Sequence, residues 1–168
     1  MPDIQVIEVQ EEQKPVLRQL IELYEYDFSE FNDRDVNAFG RYEYRYLDHY
    51  WTDEGRYPFF VLVDGAYGGF LLVNSHCYLQ KSGSSKSIAE FFIMRKYRKQ
   101  GIGGAVAAIV FDKFKGDWEV LQHGDNVPSQ IFWQKVIAAY TSGSYQLSTV
   151  ETESWVGQGY TFNNASKS

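Results

Sequence analysis

The chain has 168 residues, with 16 Lys and Arg against 22 Asp and Glu, a net charge of -6 and 44% hydrophobic residues. That length and apolar content suit a single domain with its own core and exclude a disordered chain, while the acidic balance argues against nucleic acid as a partner. No apolar run approaches the ~18 residues of a membrane span, and Met1-Pro2-Asp3 does not begin a secretory signal. Cys77, the single cysteine, excludes an internal disulfide and a multi-cysteine zinc site, and His49, His76 and His123 lie too far apart to suggest a metal centre. The expectation is a cytoplasmic protein without a metal or a membrane partner.

Charge and aromatic residues are unevenly placed. Residues 1–64 carry fifteen acids and six bases, whereas the rest of the chain is slightly basic, largely through Arg95-Lys96-Tyr97-Arg98-Lys99. Ten aromatic residues crowd into 24–51, interleaved with Glu25, Asp27, Glu30, Glu43 and Asp48.

In chain order, Ile4 to Val9 alternates and predicts a first strand. Leu17, Leu20, Ile21, Tyr24 and Phe28 recur at helical spacing behind Pro15, which is tolerated in a first turn. A second helix is predicted over about 41–52, ended by Pro58. Phe59 to Val63 and Tyr67 to Val73 flank Asp64-Gly65 and predict a hairpin. Ile88 to Met94 is an apolar strand broken only by Glu90, and Gly101 to Phe114 is helical. Trp118 to Leu121 predicts a strand, Pro128 to Tyr140 a helix, and Tyr145 to Trp155 and Tyr160 to Phe162 late strands. One α/β domain over 1–162 follows, a mixed sheet with helices on both faces, with 163–168 as a polar tail. Asn164-Ala165-Ser166 matches the glycosylation pattern by chance, given the missing secretory signal.

The strongest chemical signal is the junction after the apolar strand, where a basic turn leads into Gly101-Ile102-Gly103-Gly104 at a helix start. Glycines let a ligand approach the backbone, and the unsatisfied first-turn N–H groups with the helix dipole make an anion site. A P-loop would need Lys-Ser/Thr where Ala105-Val106 stands, and a dinucleotide fingerprint would need a small residue at Val106. The pattern that fits is Arg/Gln-x-x-Gly-x-Gly/Ala, as Arg98-Lys99-Gln100-Gly101-Ile102-Gly103.

With that motif, its preceding strand and Asn126-Val127-Pro128-Ser129 before the later helix, the chain resembles the GNAT superfamily of acyl-CoA-dependent N-acetyltransferases over about residues 4–162, nearest to a bacterial branch. The resemblance implies a mixed, largely antiparallel sheet. It implies acetyl-CoA as co-substrate, its pantetheine on the backbone of Phe91, Phe92 and Ile93 and its pyrophosphate on the amides of Lys99 to Gly104. It also implies that Asn126 contacts the pantetheine, with Ser129 in the matching segment. Two departures stand out: Arg95 occupies a frequent proline position, and Trp133 stands where many members carry a tyrosine acid for the leaving thiolate. An indole N–H is a donor but a very poor acid.

Direct acetyl transfer needs a group to take the amine proton. Glu90, read as sharing a face with Ile88, Phe92 and Met94, is the first candidate, and Glu119 on the next strand the second. Either could instead be a buried structural carboxylate. The acidic, aromatic segment 24–51 suggests a cationic amine acceptor, a polyamine, aminosugar or lysine-type amine, held by carboxylates and ring faces. The same aromatics would also suit a core and a homodimer interface. Trp133 keeps open a different function, a non-catalytic acyl-CoA sensor on the same fold.

Overall fold

The computed structural model describes residues 1–167. Seven strands form one sheet: β1 (Ile4–Glu8), β2 (Arg56–Val63), β3 (Ala66–Asn74), β4 (Lys86–Ile93), β5 (Asp117–His123), β6 (Gln146–Glu151) and β7 (Val156–Asn163). Their spatial order is β1-β2-β3-β4-β5-β7-β6, antiparallel throughout except for β4 beside β5. Four helices accompany it: α1 (Lys14–Asn32), α2 (His49–Thr52), α3 (Ile102–Lys113) and α4 (Val127–Thr141).

The sheet has an apolar layer on each face. On one, Ile102, Val106, Val110 and Phe111 of α3 and Trp133, Ile137 and Tyr140 of α4 pack with Val61, Leu71, Trp118 and Val120. On the other, Leu17, Leu20 and Ile21 of α1 pack with Leu47, Tyr50, Phe60, Phe70, Leu72 and Phe92. Local chemistry sets the element ends. Pro15 lies in the first turn of α1, and Asp33 ends the helix in the left-handed region with its N–H on the Ser29 carbonyl. Asp64 (φ 50°) and Gly65 (φ 83°) close the β2–β3 hairpin with the two positive φ values of a tight, twist-matched turn.

Several expectations need correction. The helix over 41–52 is confined to His49–Thr52, and the preceding stretch is irregular. Its helical spacing of tyrosines is overridden because α1 and the chain just after it take its backbone groups. The Tyr42 N–H donates to Glu22 Oε2 at 3.1 Å, and Arg34 Nη2 donates to the Glu43 carbonyl at 2.9 Å. Pro58 lies inside β2 instead of stopping a helix, opposite Leu72 and one position beyond the last β1 pair. The polar tail begins later than expected, since Asn163 ends β7 and Asn164 is buried. Asn164 Oδ1 accepts from the Gly116 N–H at 2.8 Å, and its Nδ2 donates to the Phe111 carbonyl at 2.8 Å. Ser168 lies outside the described residues. No helix among the described residues is long and apolar enough to cross a membrane.

Glu119 is fully buried and holds the connection from β3 to β4. Its carboxylate accepts the backbone N–H groups of Tyr78 (2.9 Å), Leu79 (2.5 Å) and Gln80 (3.1 Å). Nearby Cys77 is half-buried, and burial, reinforced by the Glu119 charge, pushes its thiol up to about 12. Glu119→Ala leaves three inward N–H donors without partners, and each orphaned donor costs about 1–3 kcal/mol. The variant is expected to lose about 3–5 kcal/mol in urea unfolding, with Glu119→Gln losing less because it retains one acceptor oxygen.

Candidate active site

The parallel pair β4–β5 is short. Lys86 pairs with Trp118 and Ser87 with Glu119, after which the two strands diverge. A cleft of about 1730 Å³ opens in this gap and reaches from the start of α3 to the inner face of α1.

At the α3 end, Lys99 (φ 62°) and Gly101 (φ 78°) turn the chain through left-handed conformations. The first N–H of the helix to bond back is that of Ala105, on the Gly101 carbonyl at 3.2 Å, so the preceding amides of Ile102, Gly103 and Gly104 have no intrahelical acceptor. Lys99, Gly101, Gly103 and Gly104 line the cleft, while the Ile102 side chain is buried in the core and Gln100 Nε2 caps the Lys96 carbonyl at 2.9 Å. Those last two therefore offer the cleft only backbone. A Cβ on Gly103 would come within 2.8 Å of the Phe132 ring, so glycine here also permits α4 to lie against the start of α3.

The two arginines of the basic turn are not free charges. Asp27 of α1 accepts Arg95 Nη2 at 2.7 Å on one oxygen and Arg98 Nη2 at 2.8 Å on the other. Arg98 Nε also donates to the Ile93 carbonyl at 2.7 Å, and its guanidinium lies over the Phe92 ring. Partial burial works against the Asp27 charge, but hydrogen bonds from the two guanidinium groups prevail and hold its carboxyl below the usual range. Nothing in the sequence pairs Asp27 with arginines 68 and 71 positions away.

Along the gap, Phe91 and Ile93 face the α3–α4 side, whereas the Phe92 side chain is buried towards α1. Trp133 is buried against Phe91, ring centres 5.0 Å apart, and against Phe132 at 4.9 Å. Asn126 caps α4, its Oδ1 accepting the Ser129 N–H at 3.1 Å, and both residues line the cleft. The cap occupies the Asn126 oxygen, and its amide nitrogen has no hydrogen-bond partner among the described residues.

Glu90 stands at the other end. Between Ile88 and Glu90 the β3–β4 register slips, so Ala89 is an inserted residue and strand alternation is broken there. Ile88 consequently packs on the α3–α4 side, whereas Ala89, Phe92 and Met94 pack on the α1 side, where Glu90 meets Tyr44. The shared face expected for Glu90 and Ile88 is corrected accordingly. Tyr44 OH lies 3.5 Å from Glu90 Oε1, and Tyr24, packed against Phe70 and Phe92, lies on the same side and lines the same cleft. Burial pushes Glu90 up to about 7, with the nearby Glu25 adding to the rise and the two tyrosine hydroxyls opposing it. Burial and then the Glu90 charge raise the Tyr24 and Tyr44 hydroxyls above their ordinary value, so both remain protonated donors. Glu25 is buried too, raised by desolvation and opposed by Arg34, which lies 2.7 Å from it.

Of the two candidate carboxylates, only Glu90 lines the cleft; Glu119 is engaged by the β3–β4 connection and does not. Sequence reasoning missed Tyr24 and Tyr44 as its partners, because the second arrives on irregular chain read as helix.

Solved structures resemble this arrangement over nearly their whole length. An acetyltransferase from Thermus thermophilus matches with a TM-score of 0.64 at 15% identity, covering 95% of this chain and 96% of its own. A Desulfovibrio desulfuricans protein assigned to the GNAT family matches at 0.63 and 11% identity, covering 96% and 99%. The fold is that of the GNAT acetyltransferases. The aminoglycoside acetyltransferase AAC(6')-Ib, in complex with coenzyme A and kanamycin, also shares it, with a TM-score of 0.65 at 9% identity and coverage of 96% and 95%. No protein-family model and no curated protein matches the sequence. Within the GNAT fold, the parted β4–β5 pair and the glycine turn of this chain lie on one continuous cleft with Glu90.

Glu90 makes stability depend on pH with a defined sign. Its carboxyl is raised in the folded state, so its favourable contribution is present below about 4.5 and is lost as pH rises through about 7. Glu90→Gln removes that loss. The variant is expected to melt close to the parent at pH 5 and to be more stable at pH 8, by at most about 3 kcal/mol, in parallel thermal denaturation.

Proposed function

We propose that this chain is an N-acetyltransferase that moves an acetyl group from acetyl-CoA to the primary amine of a small acceptor by direct attack in a ternary complex. The observation that carries this reading is the continuity of one cleft from the free amides at the start of α3, through the β4–β5 gap, to Glu90. The residues fit a diphosphate and an extended arm. The amides of Ile102 to Gly104 and the Lys99 ammonium suit the first, and the β4 edge over Phe91 to Ile93, released from β5, suits the second.

The co-substrate supplies an activated acyl thioester. Glu90, with its carboxyl near neutrality, accepts the proton the amine gives up as the carbon–nitrogen bond forms and the carbon–sulfur bond breaks. Tyr44 donates to its carboxylate and orients it, and the Tyr24 hydroxyl favours its charged form. Trp133 offers no proton, so water must protonate the departing thiolate, a task made easy by the low basicity of thiolates. Such an enzyme would work in the cytoplasm, where acyl-CoA is supplied.

The acceptor half supports a cationic amine on fewer charges than the composition suggested. Glu25 is matched by Arg34 and Asp27 by two arginines, which leaves Glu30, Glu43 and Glu90 without ion-pair partners among the described residues of this wall. Tyr24, Phe28, Phe31, Tyr44 and Tyr46 add ring faces beside them. Arg45 is also unpaired there, so the excess is modest.

Thiol release from acetyl-CoA across a panel of polyamines, aminosugars and lysine-type amines tests the proposal. Turnover is expected with at least one amine, rising with pH through about 7 as Glu90 loses its proton, and falling about 10²–10⁴-fold in Glu90→Gln. Cofactor-dependent thermal stabilisation with no turnover on any amine would favour the sensor reading instead.

A further inference from the structure

Gln122, on β5 three positions beyond the last β4 pair, carries a buried polar atom that the fold leaves unused. The residue is 2% exposed, lines the cleft, and its Oε1 has no hydrogen-bond partner among the described residues. Its Nε2 donates to the Val120 carbonyl at 3.0 Å. That bond fixes the orientation of the amide, because the flipped form would set two oxygens against each other. A buried acceptor without a donor is costly and uncommon, and its presence in a cleft asks for a ligand N–H.

The surroundings define that donor. β5 pairs regularly with β7 from Asp117 to His123, so strand alternation places Gln122 on the face of Trp118 and Val120, towards α3 and α4. That side of the cleft has an apolar wall of Phe91, Val120, Phe132 and Trp133, with the uncharged Asn126 and Ser129 at the start of α4. The carboxylate that would receive a charged amine, Glu90, packs on the opposite face, towards α1. A low-dielectric wall penalises an ammonium and tolerates a neutral amide. The donor must also belong to a narrow, extended chain able to pass between two separated strands.

We infer that Gln122 Oε1 accepts an amide N–H from the pantetheine arm of acyl-CoA, making Gln122 a binding residue that positions the arm across the gap from β4. The inference rests on the acyl-CoA reading of the cleft. The fold does not need the Oε1 atom, so this acceptor is prepared in advance for the ligand.

The experiment compares wild type with Gln122→Met, of similar length and apolar, and with Gln122→Leu, of different shape. Affinity is measured by titration calorimetry for acetyl-CoA and for 3′-phospho-ADP, which lacks the pantetheine arm, and the ligand-free proteins are melted in parallel. Both variants are expected to melt near the wild type, to bind 3′-phospho-ADP unchanged, and to bind acetyl-CoA about tenfold more weakly. Equal acetyl-CoA affinity in wild type and variants overturns the inference. So does a parallel loss for both ligands, or a collapse of the ligand-free fold, either of which would assign the amide to the structure instead. A wild type that binds neither ligand overturns the acyl-CoA reading itself.

Discussion

β4 and β5 stay together for only two residue pairs, Lys86 with Trp118 and Ser87 with Glu119, and the rest of the architecture is organised around their parting. A strand that leaves its neighbour exposes a row of backbone donors and acceptors that must find other partners. Here the opening is backed by aromatic side chains: Phe91 from β4 meets Phe132 and Trp133 from α4, and Phe132 in turn reaches the Gly103 position at the start of α3. The glycines of that helix start serve two demands together, the approach of α4 and the exposure of amides to the cleft. Glu119 secures the same divergence from below, since its carboxylate gathers the chain that leads into β4.

The two faces of β4 give the cleft two chemical sides. Regular alternation from Glu90 onward sends Glu90, Phe92 and Met94 towards α1 and Phe91 and Ile93 towards α3 and α4, while the inserted Ala89 turns Ile88 to the α3–α4 side as well. In the proposed reaction, proton transfer and arm binding would use opposite faces of one strand. The charges divide likewise. The two arginines of the turn are drawn to Asp27, so half of the basic run is an ion-pair cluster tying α1 to the end of β4, and Lys96 and Lys99 stay outside it. The groups left to meet an anion under the proposed function are the helix amides and Lys99.

Much of this was legible in the sequence. Alternation and helical spacing located every strand and three of the four helices, and Asp64-Gly65 named its own turn. The glycine motif marked the start of α3 because backbone freedom is written directly in residue type. What could not be read depends on contacts between distant segments. The tyrosines at 42, 44 and 46 keep a helical rhythm, yet Glu22 and Arg34 bind that backbone and hold it irregular, which carries Tyr44 to Glu90. Strand alternation predicted the wrong face for Ile88, because a bulge leaves no mark in the pattern of apolar residues. Gln122 had no signal at all: an unpaired buried oxygen exists only once a core surrounds it.

In the proposed complex acyl-CoA lies in the β4–β5 gap with its diphosphate on the start of α3. Amide hydrogen exchange with and without acetyl-CoA tests it directly, since amides that gain ligand acceptors exchange more slowly. Slower exchange is expected in two separate stretches, over Phe91 to Ile93 and over Lys99 to Gly104. Saturating acetyl-CoA that leaves both stretches unchanged, or protects only the far edge of the sheet at β6, would contradict the account.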